Sequence, residues 1–424
     1  MHRIQERNYW LDPPLLPTFA EAPPARTDVL VVGSGFTGTT AAIRLRQAGF
    51  EVTVIDAKPL GTGASARNGG MVLSGLSDDL FAVIKRYGID VARNLYRESI
   101  ASVTAVERLV TEGHIDCAFQ RTGFLFAACK PRHADALQRT QNLLERAFGH
   151  ATEWIPADRL REEIDTPAYH GALLDASDAG VHPARYCAGL ILMAQRLGVT
   201  LHENVTALAI ARQGERLRVT TDKGPIQAGK VVIATNGYTG ALTPWIRRRI
   251  VPVRSMMIAT APLPPERIKA LIPHGRMIAD TKTFLYYFRP SPDGTRILFG
   301  GRPRSTTQSL TENARHMRDN LLSVFPQLTS VAVDYAWWGK LGFTLDHLPH
   351  AGQRDGVYYA MGFCGHGVAL ATHLGEKLAG LIQENLSGGT AYTGLKFRAI
   401  PFYNGRPWFL PLVYRFFSLK DRLL

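Results

Sequence analysis

The sequence predicts an α/β fold that combines a Rossmann-type dinucleotide-binding domain with a second domain rich in strands. Three features of the 424-residue chain lead to this prediction. A strand, a glycine turn, a helix and a second strand follow one another between residues 28 and 56. An apolar strand at residues 230–237 ends in Ala-Thr-Asn-Gly, and several strand-like segments lie between residues 250 and 340. A chain of this length can form a large core and two intertwined domains.

The segment from Asp28 to Asp56 has the order of a dinucleotide-binding fingerprint. Gly33 permits a tight turn, Gly35 lets the backbone approach a pyrophosphate, and Gly38 lets the helix pack closely on the strand. The amide groups at the start of that helix are expected to bind phosphates. Asp56 lies where a carboxylate can accept hydrogen bonds from a ribose diol.

The composition is typical of a soluble globular protein, with 46% hydrophobic and 20% charged residues. No apolar run approaches the ~20 residues of a spanning helix, and residues 1–7 lack the apolar core of a secretory signal. The cysteines form no CxxC pair and have no regular spacing: Cys117, Cys129, Cys187 and Cys364. We therefore expect a reduced, cytoplasmic protein without a metal site. The net charge of +13 is spread along the chain, apart from Arg247–Arg249, so nucleic acid is not an expected partner.

Small residues dominate the segment that follows Asp56, where residues 63–70 read Gly-Ala-Ser-Ala-Arg-Asn-Gly-Gly. Such a segment allows an irregular backbone to run close to a flat ligand. An NAD dehydrogenase has no need of it after its second strand, whereas a flavoprotein must pass its chain along the isoalloxazine ring. This segment therefore favours a flavin as the dinucleotide.

Together with four other motifs, this segment resembles the D-amino-acid-oxidase-like superfamily of FAD-dependent amine oxidoreductases. The other motifs are GFTG at 35–38, GALLD at 171–175 with His-Pro at 182–183, FPQL at 325–328, and GHGV at 365–368. Within the superfamily, the chain is most similar to the branch that oxidises γ-glutamylputrescine. The resemblance implies a GR2-like FAD-binding domain, an antiparallel substrate domain above the flavin, and oxidation of an amine to an aldehyde and ammonia. With oxygen as the acceptor, hydrogen peroxide would also be formed.

The resemblance also implies a set of FAD-binding residues in the fingerprint, the flavin-facing segment and the later glycine turns. These are Gly33, Gly35, Phe36, Thr37, Gly38, Asp56, Ala57, Gly63, Ala64, Ser65, Arg67, Asn68, Gly69, Gly70, Val205, Thr235, Asn236, Gly237, Gly339, Gly365, His366, Gly367 and Val368. The turn at residues 362–368 feeds a helix whose positive end is expected to face the pyrimidine edge of the flavin. There it would stabilise the negative charge that develops when a hydride arrives.

On the substrate side, the resemblance implies wall residues at Tyr287, Arg289, Trp338 and Phe363. An alkylammonium has a pKa of ~10.4, so its deprotonation at neutral pH costs roughly 4.6 kcal/mol unless burial lowers that pKa. His366 is the first candidate for the base that takes this proton, followed by Tyr286 and His350.

Departures from the sarcosine-oxidase branch refine these expectations. Gly339 stands where that branch attaches FAD to a cysteine, so FAD is expected to be noncovalent. Met71 and Ala369 stand where that branch clamps a substrate carboxylate, which favours a longer amine held by a remote group. Leu298 stands at the place of the oxygen-activating lysine. The acceptor is therefore left open between oxygen and another compound, with Lys282 and Lys340 as substitute lysines.

The expected domains are interleaved along the chain. An N-terminal arm (1–27) precedes an FAD-binding domain (28–77, 150–240 and 340–385), a substrate domain (78–149 and 241–339) and a C-terminal arm (386–424). The basic, aromatic C-terminal arm is expected to pack on the body of the protein, with a membrane surface as the alternative. Alternative functions are oxidation of secondary amines such as iminodiacetate or sarcosine, RNA modification by a flavoprotein, and an FAD-binding scaffold without activity.

Overall fold

The computed structural model describes residues 3–304, 307–384 and 388–423, which form strands β1–β18 and helices α1–α10. The strands are β1 (Arg26–Val32), β2 (Val52–Ile55), β3 (Met71–Val72), β4 (Phe124–Ala127), β5 (Glu153–Ile155), β6 (Ala172–Asp175), β7 (Ala179–Gly180), β8 (Thr200–His202), β9 (Ala207–Gln213), β10 (Arg216–Thr221), β11 (Gly224–Ile233), β12 (Val251–Thr260), β13 (Met277–Asp280), β14 (Tyr287–Pro290), β15 (Ile297–Gly301), β16 (Val333–Phe343), β17 (His350–Arg354) and β18 (Val357–Met361). The helices are α1 (Phe36–Gln47), α2 (Leu80–Tyr87), α3 (Ile89–Gly113), α4 (Pro131–Leu143), α5 (Pro183–Arg196), α6 (Pro244–Arg247), α7 (Pro265–Leu271), α8 (Leu310–Val324), α9 (Val368–Ile382) and α10 (Leu410–Leu423).

The first sheet contains the predicted Rossmann-type core. Its order is β17–β18–β11–β1–β2–β8, and the pairs from β18 to β8 are all parallel. Val29, Leu30 and Val31 of the central strand are fully buried, because a parallel sheet is covered on both faces. Strands β9 and β10 extend β11 as an antiparallel meander.

The second sheet is largely antiparallel, as expected for the substrate domain. Its order is β16–β12–β15–β14–β13–β4–β6–β5, and only the β4–β13 pair is parallel. Its longest pairing joins β12 to β16, from Val251 opposite Phe343 to Thr260 opposite Val333. The predicted fold class, a parallel Rossmann-type sheet with a second antiparallel sheet, is confirmed.

Two groups of elements lie elsewhere than the predicted domain limits place them. Helix α3, from the segment assigned to the substrate domain, buries Leu95, Val106 and Leu109 in one core with helices α1, α5 and α9 of the first sheet. Strands β5 and β6, from the segment assigned to the FAD domain, belong to the second sheet. An amphipathic pattern shows that a face is buried but not which partner covers it. The predicted limit between residues 385 and 386 lies outside the described residues.

Both terminal arms pack on the body. At the N-terminus, the amide of Gln5 donates to the carbonyl of Asp334 at 2.7 Å, and Trp10 is 1% exposed. At the C-terminus, the Tyr403 hydroxyl donates to the carbonyl of Ile250 at 2.9 Å. Within the described ranges, none of the helices combines the length and the apolar character needed to cross a bilayer.

Candidate active site

The three glycines of the turn after β1 lie where an added Cβ would meet other atoms of the protein. A Cβ at Gly38 would lie 2.0 Å from the carbonyl oxygen of Gly33, and Gly33 itself has a φ of +109°. A Cβ at Gly35 would lie 2.7 Å from the Ser65 Oγ. Helix α1 begins at Phe36, whose amide donates to Ser65 Oγ at 3.0 Å. The amide N–H groups of the first turn, including that of Thr37, point out of the helix and can donate hydrogen bonds to a phosphate.

Asp56 is held at the end of β2, where the adenosine half of FAD is expected. Its Oδ2 accepts hydrogen bonds from the amide and the hydroxyl of Ser34, at 3.0 and 2.7 Å. Its Oδ1 accepts the amide of Lys58 at 3.1 Å, and its carbonyl accepts the amide of Val205 at 2.8 Å. Ala57, the next residue, is exposed. The carboxylate is therefore fixed at the end of β2, with Val205 beside it.

The segment from Gly63 to Gly70, here called the flavin loop, is held in shape by its own side chains. The Asn68 Nδ2 donates to the carbonyls of Ala64 and Ser65, and its Oδ1 accepts the amide of Gly70 at 2.7 Å. These bonds fix the loop, which contains one 3-10 turn at Ala64–Ala66, as a surface that must fit a rigid ring system requires.

The N-terminal arm and β16 hold the flavin loop from outside. The Asn8 Nδ2 donates to the carbonyl of Ala66 at 2.6 Å, and the Trp10 Nε1 donates to that of Asn68 at 2.9 Å. Arg67 connects the loop to β16 in both directions. Its Nη1 donates to the carbonyl of Trp338 at 3.2 Å, while its carbonyl accepts Trp337 Nε1 at 3.0 Å. Gly339 follows in the same strand, and a Cβ there would lie 3.6 Å from Arg67 Cβ.

We expect Trp10→Phe to weaken FAD binding about fivefold. The substitution removes the indole N–H and leaves the Asn68 carbonyl without its donor, a loss of ~1 kcal/mol. Titration of the apoprotein with FAD, followed by flavin fluorescence, measures the effect. The matched control is Trp408→Phe, because Trp408 is 63% exposed. Equal FAD affinity in the two variants would show that the arm does not support the loop.

The glycine turn at residues 362–368 is held by the Thr235–Gly237 segment, which follows β11. Asn236 has a φ of +40°, and its Oδ1 accepts the amide of Gly362 at 3.0 Å. A Cβ at Gly237 would lie 2.8 Å from the backbone of Leu341, so β16 passes directly over this turn. The neighbouring Thr235 hydroxyl bonds that of Thr239 at 2.7 Å. The Thr235–Gly237 segment thus connects β11, β16 and the glycine turn.

Helix α9 starts at the end of this turn, as predicted. Gly365 is exposed with a φ of +95°, Gly367 is the N-cap residue, and Val368 is the first helical residue. The positive end of the helix therefore opens beside the exposed glycine. A negative charge on a bound ring would be stabilised there.

His366, the first candidate base, is bound through one ring nitrogen. Its Nε2 donates to the carbonyl of Ser74 at 2.7 Å, and the backbone of Leu73 also hydrogen-bonds the ring. Burial lowers the pKa of His366, so the imidazole is neutral near pH 7. A neutral imidazole can take a proton from an ammonium group on its unprotonated nitrogen.

Behind His366 lies a buried carboxylate pair, which the sequence analysis missed. The Ser74 amide donates to Asp178 Oδ1 at 2.7 Å, and its hydroxyl donates to Asp175 Oδ2 at 3.1 Å. His150 Nε2 lies 2.5 Å from Asp175 Oδ2 and completes the group. Burial and the charge of Asp175 raise the pKa of Asp178 to about 8. The only sequence signal was the acidic end of the GALLD motif, which served as a marker of resemblance.

Two of the predicted wall residues lie against the flavin loop. A Cβ at Gly69 would lie 3.2 Å from the Tyr287 ring, and the Tyr287 hydroxyl bonds Ser255 Oγ at 3.0 Å. Arg289 Nη1 donates to the carbonyls of Gly70 and Val181, at 3.1 and 2.9 Å. Burial lowers the pKa of Arg289 to about 10. Its guanidinium is engaged with the backbone of the loop, so it supports the loop from behind.

The other candidates are less closely connected to the loop. Tyr286 packs on Phe299, with Lys282 Nζ 4.3 Å from its ring centroid. Trp338 contributes its carbonyl to Arg67, as above, and Phe363 is 5% exposed within the core of the first sheet. His350 is bonded to Asp346 at 3.1 Å and stacked on Phe397, which is the environment of a structural histidine.

The positions that differ from the sarcosine-oxidase pattern also have defined surroundings. Met71 lies in β3 opposite Gly180, and Ala369 is 1% exposed. Leu298 is fully buried in one cluster with Ala66 of the flavin loop. The two substitute lysines lie elsewhere: Lys282 pairs with Asp280, and Lys340 lies 5.4 Å from the Tyr238 ring.

The glycine cradle, the fixed acid and the flavin loop fit an FAD molecule, and comparison with known proteins agrees. The DAO family, described as FAD dependent oxidoreductase, matches residues 28–381. Gamma-glutamylputrescine oxidoreductase of Escherichia coli (strain K12) is 33% identical over 402 residues, 93% of each chain. A probable oxidoreductase, OrdL of Haemophilus influenzae, is 32% identical over 385 residues, 89% of this chain and 88% of its own.

Among solved structures, L-proline dehydrogenase from P. horikoshii superposes with a TM-score of 0.71 at 24% identity, covering 87% of this chain and 96% of its own. This likeness shows the shared fold. The family match carries the cofactor and the reaction class. The chain therefore belongs to the DAO family, binds FAD, and is an oxidoreductase that acts on CH–NH or CH–NH2 donors.

Proposed function

We propose that this protein oxidises the terminal primary amine of a γ-glutamylputrescine-type substrate to an aldehyde, with release of ammonia. The observation that carries the proposal is the 33% identity to gamma-glutamylputrescine oxidoreductase along 93% of both chains. The site supports it. Met71 and Ala369 offer no charge to a carboxylate close to the reacting carbon, so a small amino acid would lack its partner there.

The chain's own residues would prepare the amine for oxidation. When bound, FAD accepts the hydride from the carbon next to nitrogen, and water then hydrolyses the imine to aldehyde and ammonia. Burial of the ammonium beside the flavin loop lowers its pKa. The unprotonated nitrogen of the His366 ring would take the proton, and the start of α9 would stabilise the negative charge that follows hydride arrival. FAD would be held by the glycine cradle, Asp56 and the flavin loop.

Product analysis tests the proposed substrate class. Turnover of γ-glutamylputrescine should release ammonia and an aldehyde in equal amounts. Release of a smaller amine from iminodiacetate or sarcosine, with no ammonia from γ-glutamylputrescine, would instead identify a secondary-amine oxidase. Peroxide assayed in the same reaction reports whether oxygen is the electron acceptor.

We expect FAD to be bound noncovalently. Gly339 lies beside Arg67 of the flavin loop, and residues 63–70 contain neither cysteine nor histidine. Acid precipitation of the holoenzyme should therefore leave all the flavin in the supernatant. Yellow colour retained in the washed precipitate would contradict this prediction and would direct attention to Cys364, the cysteine of the last glycine turn.

A further inference from the structure

Arg302 is a half-buried cation at the C-terminal end of β15, an interior strand of the second sheet. Its Nη1 donates to the carbonyl of Arg254 at 3.1 Å, and its guanidinium carbon lies 5.3 Å from the Phe343 ring centroid. In the ranges that the structure describes, no carboxylate pairs with it. The other half-buried arginines around the site are used by the protein itself: Arg67 bonds the backbone of β16, and Arg296 pairs with Asp334.

The neighbours of Arg302 place it close to the flavin loop. Burial lowers the pKa of Arg302, and the nearby hydroxyls of Tyr414 and Tyr287 and the thiol of Cys364 act in the opposite direction. Tyr287 lies against Gly69 of the flavin loop, and Cys364 belongs to the last glycine turn. Arg302 is therefore close enough to Tyr287, which contacts the flavin loop, for their charges to interact.

The C-terminal helix α10 covers the other side of Arg302. Tyr414 packs with Phe343 and the strand residues Val251 and Val253 at one end of the region. The Tyr414 ring also meets Phe284 edge-on at 5.6 Å, on the loop between β13 and β14. The helix thus connects two parts of the second sheet, and Arg302 lies beneath it.

We propose that Arg302, enclosed by Tyr287, Phe343 and Tyr414, is an anion subsite that binds the carboxylate at the far end of the amine substrate. The inference rests on the proposed function, because a γ-glutamyl group carries such a carboxylate several bonds away from the reacting amine. A guanidinium matches a carboxylate with two parallel hydrogen bonds, which are strong where water is excluded. The Tyr414 hydroxyl from α10 can donate a third.

A purely structural role for Arg302 would give a different stability result. A half-buried charge without an acidic partner costs folding free energy, so its replacement by an apolar side chain of similar length should not destabilise the protein. We expect Arg302→Met to keep the melting temperature of the wild type or to raise it. A structural arginine would lower it on removal.

The kinetic test compares γ-glutamylputrescine with putrescine, which has the amine but no carboxylate. For Arg302→Met, we expect the ratio of the two kcat/KM values to fall about 100-fold through the KM for γ-glutamylputrescine, with Arg302→Lys in between. Tyr414→Phe should lower the ratio several-fold. The matched control is Arg415→Met, which removes an exposed charge from α10 and should leave the ratio unchanged. Equal losses for both amines in Arg302→Met would overturn the proposal.

A binding measurement keeps this test separate from that of the proposed function. L-Glutamine has the same carboxylate end and lacks the putrescine chain, so it can be titrated into the oxidised holoenzyme while the flavin spectrum is recorded. We expect saturable binding to the wild type and to Arg415→Met, and about 100-fold weaker binding to Arg302→Met. Absence of binding to the wild type, or equal binding to all three, would overturn the subsite whether or not γ-glutamylputrescine is oxidised. If glutamine binds as expected but no amine reduces the flavin, the proposed function fails alone.

Discussion

Gly38→Ala is expected to give a protein without FAD and with a much lower melting temperature. The new Cβ would lie 2.0 Å from the carbonyl oxygen of Gly33 and 3.0 Å from Val31 Cγ1. Because the first of these contacts is with backbone, α1 would have to move away from β1. That movement distorts the turn that receives the diphosphate and costs about 3 kcal/mol or more in folding free energy. The ratio of flavin to protein absorbance and a thermal melt measure the two effects.

The matched control for this substitution is Gly394→Ala. Gly394 has no atom within 4 Å of an added Cβ and no positive φ, so the same methyl group should change neither flavin content nor stability. A stoichiometric FAD content and an unchanged melting temperature in Gly38→Ala would show that the helix and the strand are not packed as described.

Asp178→Asn is expected to remove much of the protein's loss of stability between pH 6 and pH 8. Burial and the charge of Asp175 raise the pKa of Asp178 from 3.8 to about 8 in the folded state. The folded protein therefore holds a proton that the unfolded chain releases near pH 4. The stabilisation is complete below about pH 4 and is lost as the pH rises to about 8. One proton corresponds to ~1.4 kcal/mol per pH unit, so two units amount to about 2–3 kcal/mol.

Denaturant midpoints at the two pH values give this difference directly. Asparagine can still accept the Ser74 amide through its Oδ1, so the substitution preserves that hydrogen bond. The bond to Asp175 raises the pKa of His150, so the loss of the His150 proton at higher pH also destabilises the folded protein. We therefore expect the stability of Asp178→Asn to keep a smaller decrease with rising pH. Asp319→Asn, on an exposed carboxylate, is the control. The same pH slope in Asp178→Asn and the wild type would mean that Asp178 is already ionised at pH 6.

The FAD-binding half of the site could be predicted because its signals are local. The spacing of Gly33, Gly35 and Gly38 follows from one turn and one helix, and an added Cβ at each of them would meet another protein atom within 3 Å. Tyr287 and Arg289, which the resemblance implied as wall residues, are two positions apart in one strand, and both meet the flavin loop. The resemblance does not reveal that the guanidinium of Arg289 ends on backbone carbonyls.

Features that depend on distant segments escaped the sequence analysis. Trp10 bonds the Asn68 carbonyl across 58 positions, and nothing in a proline-rich arm indicates that partner. Arg302 follows an ordinary strand, and its surroundings come from α10, more than 100 positions later. The segment of α3 was assigned to the substrate domain, whereas α3 packs with α9 in the core of the first sheet. In each case, the residue's contacts come from a segment far away in the sequence, and a local sequence pattern does not identify that segment.

An anaerobic absorbance scan of the holoenzyme against a panel of amines tests the central claim most directly. The panel contains γ-glutamylputrescine, putrescine, iminodiacetate and sarcosine. We expect γ-glutamylputrescine to bleach the visible flavin absorbance fastest, with putrescine slower and the two N-substituted amino acids without effect. Rapid bleaching by iminodiacetate or sarcosine, with none by γ-glutamylputrescine, would contradict the account. It would also mean that groups other than Met71 and Ala369 hold a carboxylate next to the flavin.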